Sequence, residues 1–173
     1  MQQPMFIKTS DGRYQTARPI TEEELFLYAS ELLEADLRKR PGLKSSTDVA
    51  EFLRLRLGHE KREVFSVIFL DHKHRMLKFE VMFMGTINAA IVYPREVVRR
   101  ALEVNAVNII LAHNHPSGDP EPSKQDFEIT RRISDALRLV EIRVLDHLVV
   151  CRDSFISLSE RDWRMDELHS VPR

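Results

Sequence analysis

Val107-Asn108-Ile109-Ile110-Leu111-Ala112-His113-Asn114-His115-Pro116 runs from a short β-branched, apolar segment directly into two histidines and a proline. A run of this length and type reads as a buried strand over 107–112. Side chains alternate along extended backbone, so His113 and His115 are expected on one face and Asn114 on the other. Pro116-Ser117-Gly118-Asp119-Pro120-Glu121-Pro122 then forces the chain to turn. Ser123 opens a helix running to about Val140, with Phe127, Thr130, Ile133 and Leu137 inward, and the first turn of that helix carries Asp126.

Outward from this stretch the pattern keeps changing period. Ile142 to Val150 is a further strand. Upstream, Pro94 stands where a proline suits the first helical position, and Val97, Val98, Ala101 and Leu102 recur at helical spacing to about Asn105. Val64-Phe65-Ser66-Val67-Ile68-Phe69-Leu70 is another buried strand, with Asp71-His72-Lys73-His74 as the turn after it. Leu77 to Met84 and, beyond Gly85, Ile87 to Val92 are expected as two more strands, with neighbours paired as in a hairpin. The order strand, strand, strand, helix, strand, helix, strand predicts an α/β fold, a mixed β-sheet flanked by helices rather than a doubly wound parallel one.

The first eighteen residues are polar and aperiodic. Thr21-Glu22-Glu23-Glu24 then reads as a capping box for a helix carrying Leu25, Ala29, Leu32, Leu33 and Leu37 on one face, ended by Pro41-Gly42. A second helix, from about Ser46-Thr47 to Gly58, uses Val49, Phe52, Leu53 and Leu57. The chain therefore divides into an N-terminal helical extension (1–60), a main domain (61–157) and a charged C-terminal tail (158–173) containing Trp163.

At 173 residues the chain is long enough to close one sizeable core. Its 26 Lys+Arg against 27 Asp+Glu give a net charge of -1, so no global field draws it to nucleic acid or an anionic membrane. The single cysteine, Cys151, excludes an intrachain disulfide and a zinc site built on several thiolates. It also excludes a nucleobase deaminase, whose zinc chemistry needs a Pro-Cys-x-x-Cys arrangement. No apolar run approaches a membrane span and no secretory signal starts the chain, so the expected compartment is the cytoplasm.

Two imidazoles on one face, with a carboxylate brought back by the next helix, form a nitrogen and oxygen donor set. Such a set suits zinc with a fourth position open to water, the arrangement of catalytic sites. Ser123 followed three residues later by Asp126 is equally a capping box that needs no metal, and the spacing alone leaves both readings open.

His113-x-His115-Pro116, then Ser123-x-x-Asp126, resembles the metal signature of the JAMM metalloproteases, also called JAB or MPN+ domains. The longer string from His113 to Pro120, with Pro122, Ser123 and Asp126, is similar to the RadC branch, as are Gly85-Thr86, Tyr93-Pro94-Arg95-Glu96 and Leu145-Asp146-His147. The likeness spans about residues 60 to 157. It implies the JAB/MPN (cytidine-deaminase-like) architecture, His113, His115 and Asp126 as Zn2+ ligands, and Ser123 as a hydroxyl that helps hold an oxyanion. It further implies a glutamate before an early strand as acid/base, a place that Glu63 fits, with Glu80 as the alternative. The implied function is zinc-dependent hydrolysis of a peptide, isopeptide or related amide bond in a peptide-like substrate, in DNA repair or mobile-element biology.

The helix-hairpin-helix segment of full-length RadC-like proteins is not recognised here, and the front of the chain resembles that of short members on prophages and other mobile elements. The rival reading is a non-catalytic DNA-associated or partner-binding module. It would use Arg38-Lys39-Arg40, Lys44, Arg54, Arg56, Lys61 and Arg62, a set that on a helix is more often a solvated face. Asp146-His147 is expected as structural support, a histidine oriented by a carboxylate or an outer partner of a metal ligand. His72 and His74 are expected in solvent, and Asn114 and Ser117 as organisers of the loop.

Overall fold

The computed structural model describes residues 5–85 and 92–161. A short hairpin of β1 (Phe6–Lys8) and β2 (Tyr14–Thr16) comes first, followed by helices α1 (Glu22–Lys39) and α2 (Thr47–Leu57). The hairpin lies in the stretch read as aperiodic, because strands of three residues are too short to show a period. It is held to α1 by Phe6 stacking on Tyr28. The remaining elements are β3 (Val64–Leu70), β4 (Met76–Met84), α3 (Pro94–Glu103), β5 (Asn108–Asn114), α4 (Lys124–Arg138), β6 (Arg143–Val150), β7 (Phe155–Ser157) and a closing 3-10 turn at Ser159–Arg161. The strand expected at 87–92 falls outside the described residues except for Val92, and so does the tail with Trp163.

The main sheet is mixed, in the order β4-β3-β5-β6-β7. β3 pairs antiparallel with β4 and β5, β5 pairs parallel with β6, and β6 pairs antiparallel with β7. Strand alternation sorts the core into two layers. Val64, Ile68, Leu70, Ile110, Ala112, Leu148 and Val150 pack with Val49, Phe52, Leu53 and Leu57 of α2. Phe65, Val67, Phe69, Ile109, Leu111 and Val149 face the other way, against Val97 and Ala101 of α3 and Ile133 and Leu137 of α4. Helices thus cover both faces of the sheet, as the α/β reading requires.

In α1 the buried stripe is displaced from the expected one. Ser30 and Leu37 are buried and Leu33 packs on the core, whereas Leu25 and Leu32 face outward. Apolar residues are spaced all round this helix, so periodicity alone could not choose the side that meets the sheet.

The β3–β4 turn depends on one carboxylate. Asp71 Oδ1 accepts from the amides of Lys73 (2.8 Å) and Arg75 (2.9 Å), and Oδ2 accepts from Arg75 Nε (2.7 Å). Gly42 packs on this turn so closely that a Cβ there would lie 2.4 Å from the Lys73 carbonyl oxygen. Burial pushes the Asp71 pKa up, but the hydrogen bonds and the charge of Arg75 outweigh it and leave it at about 2. A folded pKa below the unfolded value means that the ionised carboxylate stabilises the fold above pH ~4, and that this contribution is lost as pH falls toward 2. Asp71→Asn is expected to cost about 1–2 kcal/mol at neutral pH in urea denaturation, with the gap from wild type narrowing in that acid window.

Candidate metal centre

The sheet and α4 bring the three sequence-predicted ligands together. β5 runs two residues further than its apolar stretch, so His113 lies inside the strand and is 1% exposed, while His115 follows the strand end and is half-buried. His113 and His115 share the α4 side of the sheet, and Asn114 points to the α2 side, as alternation predicts. Asp126 is buried in the first turn of α4. Nε2 of His113 lies 3.0 Å from Nε2 of His115 and 3.2 Å from Asp126 Oδ1. One donor atom from each of the three residues falls within 4.8 Å of the others.

Both readings of Ser123 and Asp126 are present in one geometry. Ser123 Oγ accepts from Asp126 N (3.2 Å), and Asp126 Oδ2 accepts from Ser123 N (2.7 Å) and from the Ser123 hydroxyl (2.7 Å). The cap therefore holds Oδ2, which also lies 3.6 Å from His115 Nε2, and leaves Oδ1 turned toward His113. Burial works to raise the Asp126 pKa, yet its close contacts with His113 and His115, and the Ser123 hydroxyl, hold it far below the carboxylate range. The same contact raises His115 above its ordinary value, against burial. An ionised carboxylate between two imidazoles is a donor set for a divalent cation.

The ring nitrogens that face away from the cluster are also engaged. His115 Nδ1 donates to the carbonyl oxygen of Asp119 (2.8 Å), which can only accept, so a neutral His115 keeps its Nε2 lone pair for the cluster. Gly118, at φ 86°, lets the loop fold back to make that bond. His113 Nδ1 lies 2.7 Å from Nε2 of His147 on β6. Phe65 of β3 walls the centre, stacked toward His113 and edge-on to His147.

With this geometry fixed, comparison with known families is decisive: a profile described as the RadC-like JAB domain matches residues 43–163. The chain belongs to the RadC-like JAB domain family. A UPF0758 protein of Vibrio cholerae is 47% identical over 151 residues, covering 87% of this chain and 95% of that relative. UPF0758 proteins of Azotobacter vinelandii and Photobacterium profundum are 53% and 54% identical, over 73% and 76% of this chain and 57% and 58% of their own lengths. The chain thus spans nearly all of the Vibrio relative and a little over half of the other two.

In this RadC-like JAB domain Glu63 lies just ahead of β3, half-exposed. β3 and β5 pair Phe65 with His113 at the end of their ladder, and Glu63 stands two residues before Phe65. The Glu63 charge adds to the upward shift of His115, behind the larger influence of Asp126. Asn114 holds the segment in place: its Oδ1 accepts from Val64 N (2.7 Å), and its Nδ2 donates to the carbonyls of Arg62 (3.0 Å) and Glu60 (3.2 Å). It organises the approach to β3 rather than its own loop. Glu80 is on the outer strand β4 opposite Val67, in ion pairs with Arg100 (2.7 Å) and Lys78 (3.1 Å).

Asp146 does not orient the His147 ring. Its carboxylate accepts from the amides of His147 and Ser159 and from the Ser157 hydroxyl, tying β6 to β7. The ring's partner is Thr130 of α4, whose Oγ1 meets His147 Nδ1. Burial pushes His147 well below an ordinary histidine pKa. Thr130 was legible in the sequence only as a core-facing position. Among the basic residues near the front, Arg38 and Arg40 pair with Glu34, Asp36 and Asp48, and Arg54 donates to the Arg152 carbonyl. Among the described residues no helix is long and apolar enough to cross a membrane.

Proposed function

We propose that this protein is a zinc-dependent hydrolase of the JAMM type that cleaves a peptide, isopeptide or related amide bond with water. The observation carrying this reading is the convergence of His113 Nε2, His115 Nε2 and the Asp126 carboxylate, with the outer ring nitrogens and Asp126 Oδ2 also held by other groups. Three protein donors of this kind fit zinc and leave one position open. Zinc bound there supplies Lewis acidity, toward water and toward a substrate carbonyl.

The chain's own residues supply the rest. Glu63 takes a proton from the attacking water and returns it to the leaving nitrogen, a role supported by its place two residues before the strand partner of His113 and by its charge acting on His115. Ser123 helps hold the oxyanion, supported by its place beside Asp126. That role requires the hydroxyl hydrogen to leave Asp126 Oδ2, which Ser123 N continues to hold.

Zinc content and turnover of a broad amide-substrate panel test the reading. Glu63→Gln is expected to lower kcat by about 10²–10⁴-fold while zinc stoichiometry is unchanged. A folded wild-type protein that takes up no zinc at any ratio would sink the proposal, and full turnover in Glu63→Gln would move the base elsewhere.

A further inference from the structure

Behind the candidate metal centre, His147 is fully buried between His113 and Thr130, in a row that has one consistent set of hydrogen-bond directions once His147 is neutral. The row ends on the backbone carbonyl of Asp126, which accepts from Thr130 Oγ1. A carbonyl has no hydrogen, so the single hydroxyl hydrogen of Thr130 is committed there. The contact between Thr130 Oγ1 and His147 Nδ1 must then take its hydrogen from the histidine. A fully buried imidazole whose ring meets only a hydroxyl and another imidazole is neutral, since its neighbouring carboxylate, Asp146, is turned to the backbone and to Ser157. With its one hydrogen on Nδ1, His147 can only accept at Nε2. His113 Nδ1 must therefore donate across the 2.7 Å gap, which leaves the lone pair of a neutral His113 on Nε2, the atom facing His115 and Asp126.

We propose that His147 and Thr130 are positioning residues that set the His113 tautomer, so that Nε2 is a metal donor before any ion arrives. This rests on reading His113, His115 and Asp126 as a metal centre. The row starts at the Asp126 backbone and ends at the His113 ring, so one ligand's helix turn sets the proton position of another ligand on the sheet. With His113 hydrogenated at Nε2 instead, an N–H would point into the donor cluster and no lone pair would be offered.

The first test uses ¹⁵N-imidazole NMR on the full metal-free chain, where the coupling pattern tells which ring nitrogen carries hydrogen. Hydrogen on Nδ1 of both His113 and His147 is expected, and hydrogen on Nε2 of His113 overturns the proposal without any variant having to fold. The second measures zinc affinity by chelator competition. His147→Leu, which removes the acceptor, is expected to weaken zinc by about 10–100-fold, while His147→Gln, which restores an oxygen acceptor near the same place, recovers to within about threefold of wild type. Equal losses in the two variants would show that packing and not the acceptor is at work, and would overturn it too. If wild-type protein bound no zinc, the metal reading would fail, whereas the tautomer assignment is read on the metal-free chain and is judged separately.

Discussion

Asp126→Asn is expected to lower zinc affinity by more than the ~10–100-fold that loss of an outer partner costs, and to reduce amide hydrolysis to background. Removing the charge leaves two neutral imidazoles and an amide oxygen, and takes away the anion that offsets a divalent ion in a buried setting. His115 should fall back toward an ordinary histidine pKa, because its largest upward influence is the hydrogen bond to Asp126. The fold should survive. An asparagine oxygen can still accept from Ser123 N, so the cap of α4 persists and the stability loss should stay near ~1 kcal/mol. Isothermal titration with zinc, beside thermal melts of the metal-free proteins, separates the two effects. A variant that unfolds together with losing zinc would show that the carboxylate is structural first.

The second large effect is expected at Asn114. Its side chain is buried and makes three hydrogen bonds to the backbone of residues 60–64, and alanine would leave Val64 N and two carbonyl oxygens without partners. Each buried group left unpaired costs about 1–3 kcal/mol, but Glu60 and Arg62 lie at the surface where water can replace part of the loss, so a total near ~3 kcal/mol is expected in denaturant unfolding. The functional signature is more telling than the stability. The Asn114 side chain points away from the proposed ligands on either side of it and fixes the segment carrying Glu63, so kcat should drop while zinc affinity stays close to wild type. Loss of zinc with kcat preserved in the metal-saturated variant would contradict this division of labour.

The sequence was most informative where one physical signal dominated. β3, buried on both faces, showed as an apolar run broken only by Ser66 and matched its expected bounds, and the helix capped by Ser123 began where expected and ended at Arg138, two residues short of Val140. The His113, His115 and Asp126 cluster was legible because alternation and a helix cap act over a few residues. β7 was missed for the opposite reason: its three residues gain their identity only from pairing with β6. The partners of the site were hidden for a related cause. His147 reaches His113 across a parallel strand pair, and Thr130 reaches His147 from a helix that reads simply as amphipathic. Nothing local marks a histidine as the neighbour of another 34 residues away. Asp146 shows the converse, since its adjacency to His147 invited a carboxylate-imidazole pair that the strand geometry spends on the backbone instead.

The Asp126 carboxylate, gripped at Oδ2 by the amide and hydroxyl of Ser123, also has an entropic consequence. An unrestrained aspartate gives up rotamer freedom when it meets an ion, whereas this one has lost that freedom already, when α4 formed. His115 and His113 are tethered in the same way through their outer nitrogens. Loading and release should therefore proceed with little rearrangement of the chain, and the metal-free protein should keep the shape of the loaded one.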